Sequence, residues 1–89
     1  LGGGFVMWHD VKIKLPDLKE KDYSLGVSRK VLLCLSPCVS TDNYCIARLE
    51  KWSDEEPARW FTVESERWDV TEQAKFWQEL PEFRIGEVV

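Results

Sequence analysis

Lys30-Val31-Leu32-Leu33-Cys34-Leu35-Ser36, closed by Pro37, is the run on which this chain has to be built. It is β-branched or apolar at positions of both parities, the pattern of a central strand covered on each side. Pro37 lacks the ladder N–H and stops it. Pro37 to Asn43 is a polar connector in which Ser40-Thr41-Asp42-Asn43 carries turn chemistry. Tyr44-Cys45-Ile46-Ala47-Arg48-Leu49-Glu50 then alternates, setting Cys45, Ala47 and Leu49 against Tyr44, Ile46 and Arg48. The two runs predict a β-hairpin with a long loop.

On the N-terminal side, Phe5 to Val11 is apolar enough for a strand or an extended anchor, and Pro16 must end it. Pro16 to Arg29 is charged, contains Gly26, and reads as a surface loop with room for a helical turn near Asp17–Lys21. On the C-terminal side, Ser53-Asp54-Glu55-Glu56-Pro57 is a second polar connector. Arg59-Trp60-Phe61-Thr62-Val63-Glu64 is a third strand, and Trp68-Asp69-Val70-Thr71 starts a short segment. Thr71 to Leu80 is ambiguous. Thr71 as a cap and Phe76/Leu80 at i,i+4 suit a helix, whereas the alternation of Ala74/Phe76/Gln78/Leu80 with Lys75/Trp77/Glu79 suits a strand ending at Pro81.

These elements predict a mainly β fold, with a small α+β arrangement as the alternative: an antiparallel sheet of four or five strands, long loops and at most one short helix. The expected core is Trp8, Val11, Val31, Leu33, Leu35, Ile46, Leu49, Phe61, Val63, Trp77 and Leu80. Residues 1–4 read as a linker or processing remnant, and residues 5–89 as one small β-rich domain. With five tryptophans, four phenylalanines and two tyrosines in 89 residues, most aromatics are needed for burial, since each removes roughly 150–250 Å² from water.

Composition excludes several classes. No apolar run approaches the ~18–20 residues that span a bilayer, and no signal-peptide pattern appears. The expected setting is therefore cytoplasmic, with Cys34, Cys38 and Cys45 reduced. Residues 1–50 carry a net charge of +1 and residues 51–89 a net charge of −5. Nothing resembles the basic stripe that nucleic-acid binding requires. An acidic surface suits solubility and a basic partner.

The anchors resemble a known pattern. Trp8-His9-Asp10-Val11…Leu15-Pro16, Val31-Leu32-Leu33, Cys45-Ile46-Ala47-Arg48-Leu49, Trp60-Phe61, and Val70-Thr71…Phe76-Trp77-Gln78-Glu79-Leu80-Pro81 occur in the order seen in a family of short phage and prophage domains of unknown function. The likeness spans about residues 7 to 83. Glu72-Gln73-Ala74-Lys75 is an insertion relative to that pattern, and the Pro16–Arg29 loop is long. The resemblance implies a sheet-forming phage-type accessory protein in the cytoplasm of a bacterial host cell and carries no activity with it.

Candidate chemistry is sparse. Cys34, Cys38 and Cys45 (C-x3-C-x6-C) with His9 have the residue types of a Cys3His zinc site, but the spacing lacks the paired knuckles such sites use. Cys34 and Cys45 read as small buried apolar residues, and Cys38 as the exposed thiol. A Cys34–Cys45 or Cys38–Cys45 disulfide is open under oxidising conditions. His9-Asp10 suggests an oriented base, yet neighbours on a strand point to opposite faces. Trp52, Trp60, Trp68 and Trp77 recur at spacings of eight, eight and nine, about one strand plus one turn. Acidic flanks argue against base stacking, which leaves Trp52 and Trp68 as surface anchors.

The expected function is a non-enzymatic protein-binding module with an unidentified protein partner and no cofactor. Its contacts are expected at Trp52, Glu55, Glu56, Glu64, Glu66 and Trp68. One alternative is a metal- or thiol-dependent enzyme or accessory factor using His9 and Cys38. Another is an acidic decoy of a DNA-binding protein. A homodimer through a sheet edge is compatible with either.

Overall fold

The computed structural model describes residues 7–21, 24–64 and 66–81. Residues 1–4, read as a linker, and the Phe5-Val6 start of the first run lie outside them. In chain order the strands are β1 (His9–Asp10), β2 (Lys19–Lys21), β3 (Ser24–Val27), β4 (Val31–Leu35), β5 (Tyr44–Lys51), β6 (Arg59–Thr62) and β7 (Ala74–Glu79). A single 3-10 turn, Thr41–Asn43, opens β5, with the Ser40 hydroxyl accepting the Asp42 N–H. All pairings are antiparallel and form one sheet.

The register shows how the sheet is assembled. Ala47 of β5 pairs with Val31 on one side and Thr62 on the other. Glu50 pairs with Val27 and with Arg59. A strand has two borders, so β3 and β4 must share one border of β5, end to end, while β6 takes the other. They act as one long strand broken at residues 28–30. Ser28 fills the break: its N–H donates to the Leu49 carbonyl, and its buried hydroxyl accepts the Leu49 N–H at 2.9 Å. Both backbone groups of Leu49 are thereby satisfied.

β7 lies beyond β4, and β1 beyond β7. Leu33 consequently sits between Cys45 and Trp77, and Leu49 opposite Trp60. Val31, Leu33, Ala47, Leu49, Trp60, Ala74 and Trp77 form the core on this face. The chain after β1 covers it. A turn at residues 11–13 is closed by the Asp10 carboxylate, which accepts the Lys12 N–H at 2.8 Å. Val11 and Leu18 then pack on the core, and the Trp77 indole N–H donates to the Lys14 carbonyl at 2.8 Å.

At the opposite end, residues 68–70 run along the outer border of β6. Phe61 bridges Asp69, Thr62 N–H donates to the Trp68 carbonyl, and Val70 N–H to the Trp60 carbonyl. Asp69 organises this segment. Its carboxylate accepts the Thr71 N–H and hydroxyl and pairs with Arg59, while the Thr71 hydroxyl accepts the Trp60 N–H at 2.8 Å.

Three expectations are corrected and one open choice is resolved. The sheet has seven strands rather than four or five. The Pro16–Arg29 loop contains the β2–β3 hairpin, and Lys19–Lys21 is strand rather than a helical turn. Gly26 is what lets that hairpin close, because a Cβ there would lie 2.7 Å from the Leu18 Cβ. The ambiguous segment is a strand, since β4 offers Ala74–Glu79 a full ladder and tertiary pairing outweighs helix propensity. Finally, Ile46, Phe61 and Val63 are only half-buried. The register places Ile46 and Phe61 with Leu32 and Arg48, on the side away from the core, and gives the core position on β6 to Trp60. Trp8 and Leu80, also expected in the core, are likewise half-buried.

Two stability measurements follow from this packing. Trp77→Ala is expected to lower the unfolding free energy by about 3–5 kcal/mol in a denaturant melt, with Trp77→Phe losing less because it keeps most of the bulk. Burial alone would raise the Asp69 carboxyl, but hydrogen bonds from Arg59 and Thr71 outweigh it and hold the group below the ordinary aspartate value. A depressed folded-state value contributes stability that is full above the ordinary range and lost as pH falls through it. The stability difference between the wild type and Asp69→Asn should therefore shrink on acidification; a constant difference would contradict this role.

Candidate functional site

The side of the sheet away from the core carries the candidate site. Cross-strand register places Leu32 and Cys34 of β4, Tyr44, Ile46, Arg48 and Glu50 of β5, Phe61 of β6, and Phe76 and Gln78 of β7 together on it. Among the described residues the substantial contacts between elements are all between sheet neighbours, and none of those elements is stacked on this face as a second layer. Tyr44 is 38% exposed, Phe76 37% and Trp52 44%.

One end of this face is aromatic and sulfur-rich. Trp8 tilts against Tyr44 with ring centroids 5.2 Å apart. With Cys34, Cys38 and Phe76 they line a recess of about 250 Å³. Cys38 stands at a left-handed turn position (φ 57°), and its N–H donates to the Leu35 carbonyl at 2.8 Å. All three thiols are free. Burial, helped by the neighbouring Cys38 thiol, pushes Cys34 up to about 12. Burial, with the Glu64 carboxylate adding to it, pushes Cys45 up to about 11.

The other end is ionic. Arg67 forks onto the buried Glu50 carboxylate with contacts of 2.7 and 3.2 Å. Its guanidinium lies 3.9 Å above the Phe61 ring and 5.7 Å from that of Trp52. Arg48, Glu50, Trp52, Glu64 and Arg67 line a recess of about 360 Å³. The Glu64 carboxylate is structural as well as charged, because it accepts the Ile46 N–H at 3.1 Å just past the end of β6. Glu50 would be costly to bury alone, and the bidentate arginine is what makes it tolerable.

Of the residues expected to contact a partner, Trp52 and Glu64 meet at this recess. Glu66 and Trp68 lie beyond it on the following turn. Trp68 is 61% exposed, and the Glu66 carbonyl accepts the Thr62 hydroxyl. Glu55 and Glu56 are exposed in the turn after β5, where the Glu56 carbonyl accepts from Lys51 Nζ at 2.7 Å. Tyr44, Phe76, Arg48 and Arg67 were missed. The signal for them was Glu50 ending the Tyr44/Ile46/Arg48 side of β5, since a carboxylate in so apolar a strand needs a cation above it.

His9 and Cys38 are not brought together. His9 pairs with Trp77 and lies tilted against its ring, centroids 4.6 Å apart, on the core side, whereas Cys38 lines the recess on the opposite face. The thiols are divided too, with Cys45 paired to Leu33 on the core side. Among the described residues, no group of three or more His, Cys, Asp or Glu side chains is placed to hold a metal ion. Likewise, no helix among them is long and apolar enough to cross a membrane. Comparison with known proteins gives no matching family model, curated protein or solved structure.

Raised thiol values mean that the folded state holds these protons more tightly than the unfolded chain. Stability from Cys45 and Cys34 is full below the ordinary thiol range and is lost as pH climbs toward about 11 and about 12, respectively. Alkylation followed by mass spectrometry at mildly basic pH should modify Cys38 first, with Cys34 and Cys45 reacting on unfolding. Equal rates at all three would contradict the packing described.

Proposed function

We propose that the protein is a non-enzymatic protein-binding module, of the phage-accessory kind its Trp/Leu-Pro frame resembles, and that it meets its partner with the face between Trp8 and Trp52. The observation that carries this reading is the set of rings more than a third exposed on this face: Tyr44 and Phe76 at its aromatic end, and Trp52 beside the Arg67–Glu50 fork at the other. A chain this short has few large apolar side chains with which to stabilise its core, and leaving several exposed on one face is unfavourable without a second use for them. Tryptophan, tyrosine and arginine are the residues that dominate binding energy at protein interfaces.

The acids fit the edge of such a surface. Glu55, Glu56, Glu64 and Glu66 are exposed, and charges at an interface rim act mainly on association rate and salt dependence. Trp68 adds an exposed ring beside them. A basic partner is the complement.

The test is capture from host lysate with matched variants. Wild type should retain a partner that Tyr44→Ser/Phe76→Ser and Trp52→Ala lose by at least about tenfold, or ~1.4 kcal/mol, while their melts stay cooperative. Glu55→Gln/Glu56→Gln should slow association and flatten its salt dependence with little change in dissociation. If the same partner binds all variants equally, this face is not the interface.

A further inference from the structure

Arg48 is the anomaly of the sheet. Arg29, Arg59 and Arg67 each face a carboxylate, from Glu79, Asp69 and Glu50 respectively. Arg48 has none among the described residues, and its Nε is shielded from solvent without a hydrogen-bond partner. Among the described residues only the Ser24 hydroxyl shares that condition. Of the described arginines Arg48 alone faces no carboxylate, and its Nε lacks an acceptor although burying an unpaired donor is unfavourable.

On the side facing the β2–β3 hairpin, Arg48 lines a recess of about 350 Å³ together with Lys19, Lys21 and Arg29. The register explains the convergence. Lys19 pairs with Val27, and Val27 with Glu50, so Lys19 shares a face with Glu50 and Arg48. Lys21 follows two residues later and lines the same recess. The opposing charges are Asp17 in the lining and Glu79, which reaches Arg29 at 3.3 Å. Among the described residues, four cations against two carboxylates leave a local surplus of about two positive charges, in a chain that is acidic as a whole.

We propose that this recess binds a phosphoryl dianion. A phosphate group carries about −1.5 to −2 charge near neutral pH and three strong acceptor oxygens. Arginine presents a planar fork that matches two of those oxygens, and lysine ammonium groups approach the remainder as point charges. A single carboxylate would leave about half of the surplus charge unmatched. The shared chemistry is the phosphoryl group, whether free, on a small metabolite or on a phosphorylated side chain. The site shares Arg48 with the ionic recess, but it stands without the protein-binding reading.

The experiment is an NMR titration of the full chain with inorganic phosphate and with the tripeptide Ala-phosphoserine-Ala, each against sodium chloride at equal ionic strength. The expected result is a saturable shift of the Arg48 side-chain Nε–H and of the neighbouring Ser28 and Leu49 amides. Arg48→Gln should weaken it at least about tenfold. Lys19→Gln/Lys21→Gln, on fully exposed β2 positions that cannot disturb the core, should weaken it as well. Response to both ligands supports a site for the phosphoryl group itself, and response to the tripeptide alone supports a phosphorylated side chain. Absence of a saturable shift beyond the chloride control, or shifts unchanged in both variants, would overturn the proposal.

Discussion

The indole of Trp77 is the piece on which the rest of the structure depends. It is 2% exposed, sits opposite Leu33 on the central strand and His9 on the outermost one, and donates its N–H to a carbonyl 63 residues away. Among the described residues there is no second sheet or helix layer to bury the apolar side of this sheet. The segment from Val11 to Leu18 supplies that cover, and its turn leads it back across the sheet. The indole bond fixes where the cover lies, and the ring supplies the largest fully buried surface beneath it. One side chain thus links the two ends of the described chain to its centre.

Closing one face this way leaves the other to a different chemistry. Its members are spaced along the same strands as the core residues, one position out of phase, so every core residue fixes an outward neighbour. Leu49 in the core holds Arg48 and Glu50 outside it; Leu33 holds Leu32 and Cys34. The resulting surface has an aromatic, thiol-bearing end, an ionic end and a basic recess, with Arg48 between the last two. The Arg67–Glu50 fork over Phe61 gives this surface a fixed shape, because a bidentate pair stacked on a ring has little rotational freedom.

Much of this was legible in the sequence, for identifiable reasons. The β4–β5 hairpin followed from alternation and Pro37. The difficulty at Thr71–Leu80 has a physical origin. Leu35 pairs with Ala74 while Cys34 pairs with Phe76, so Lys75 is an extra residue in the ladder. That bulge puts Ala74 and Trp77 in the same core at a spacing of three, which imitates a helix. The choice between Trp60 and Phe61 was likewise invisible, since either parity of an aromatic pair suits a strand and only the Leu49 register selects Trp60. For the candidate site, Trp52, Trp68 and the acids were visible as exposed types. The cations were not, because Lys19, Lys21, Arg29 and Arg48 are scattered over thirty residues and meet only through the hairpin.

The borders of the sheet have their own consequence. Among the described residues, β1 offers two residues, β2 is a fully exposed Lys-Glu-Lys triplet, and the outer side of β6 is already occupied by residues 68–70. Little unpaired backbone is left on which a further strand could template itself, and part of it carries lysine, the side chain that most discourages such growth. Among the described residues the exposed rings of Tyr44, Trp52 and Phe76 therefore stand on a sheet face, away from the borders where peptide groups are unpaired. Apolar display and backbone templating are thus assigned to different parts of the molecule.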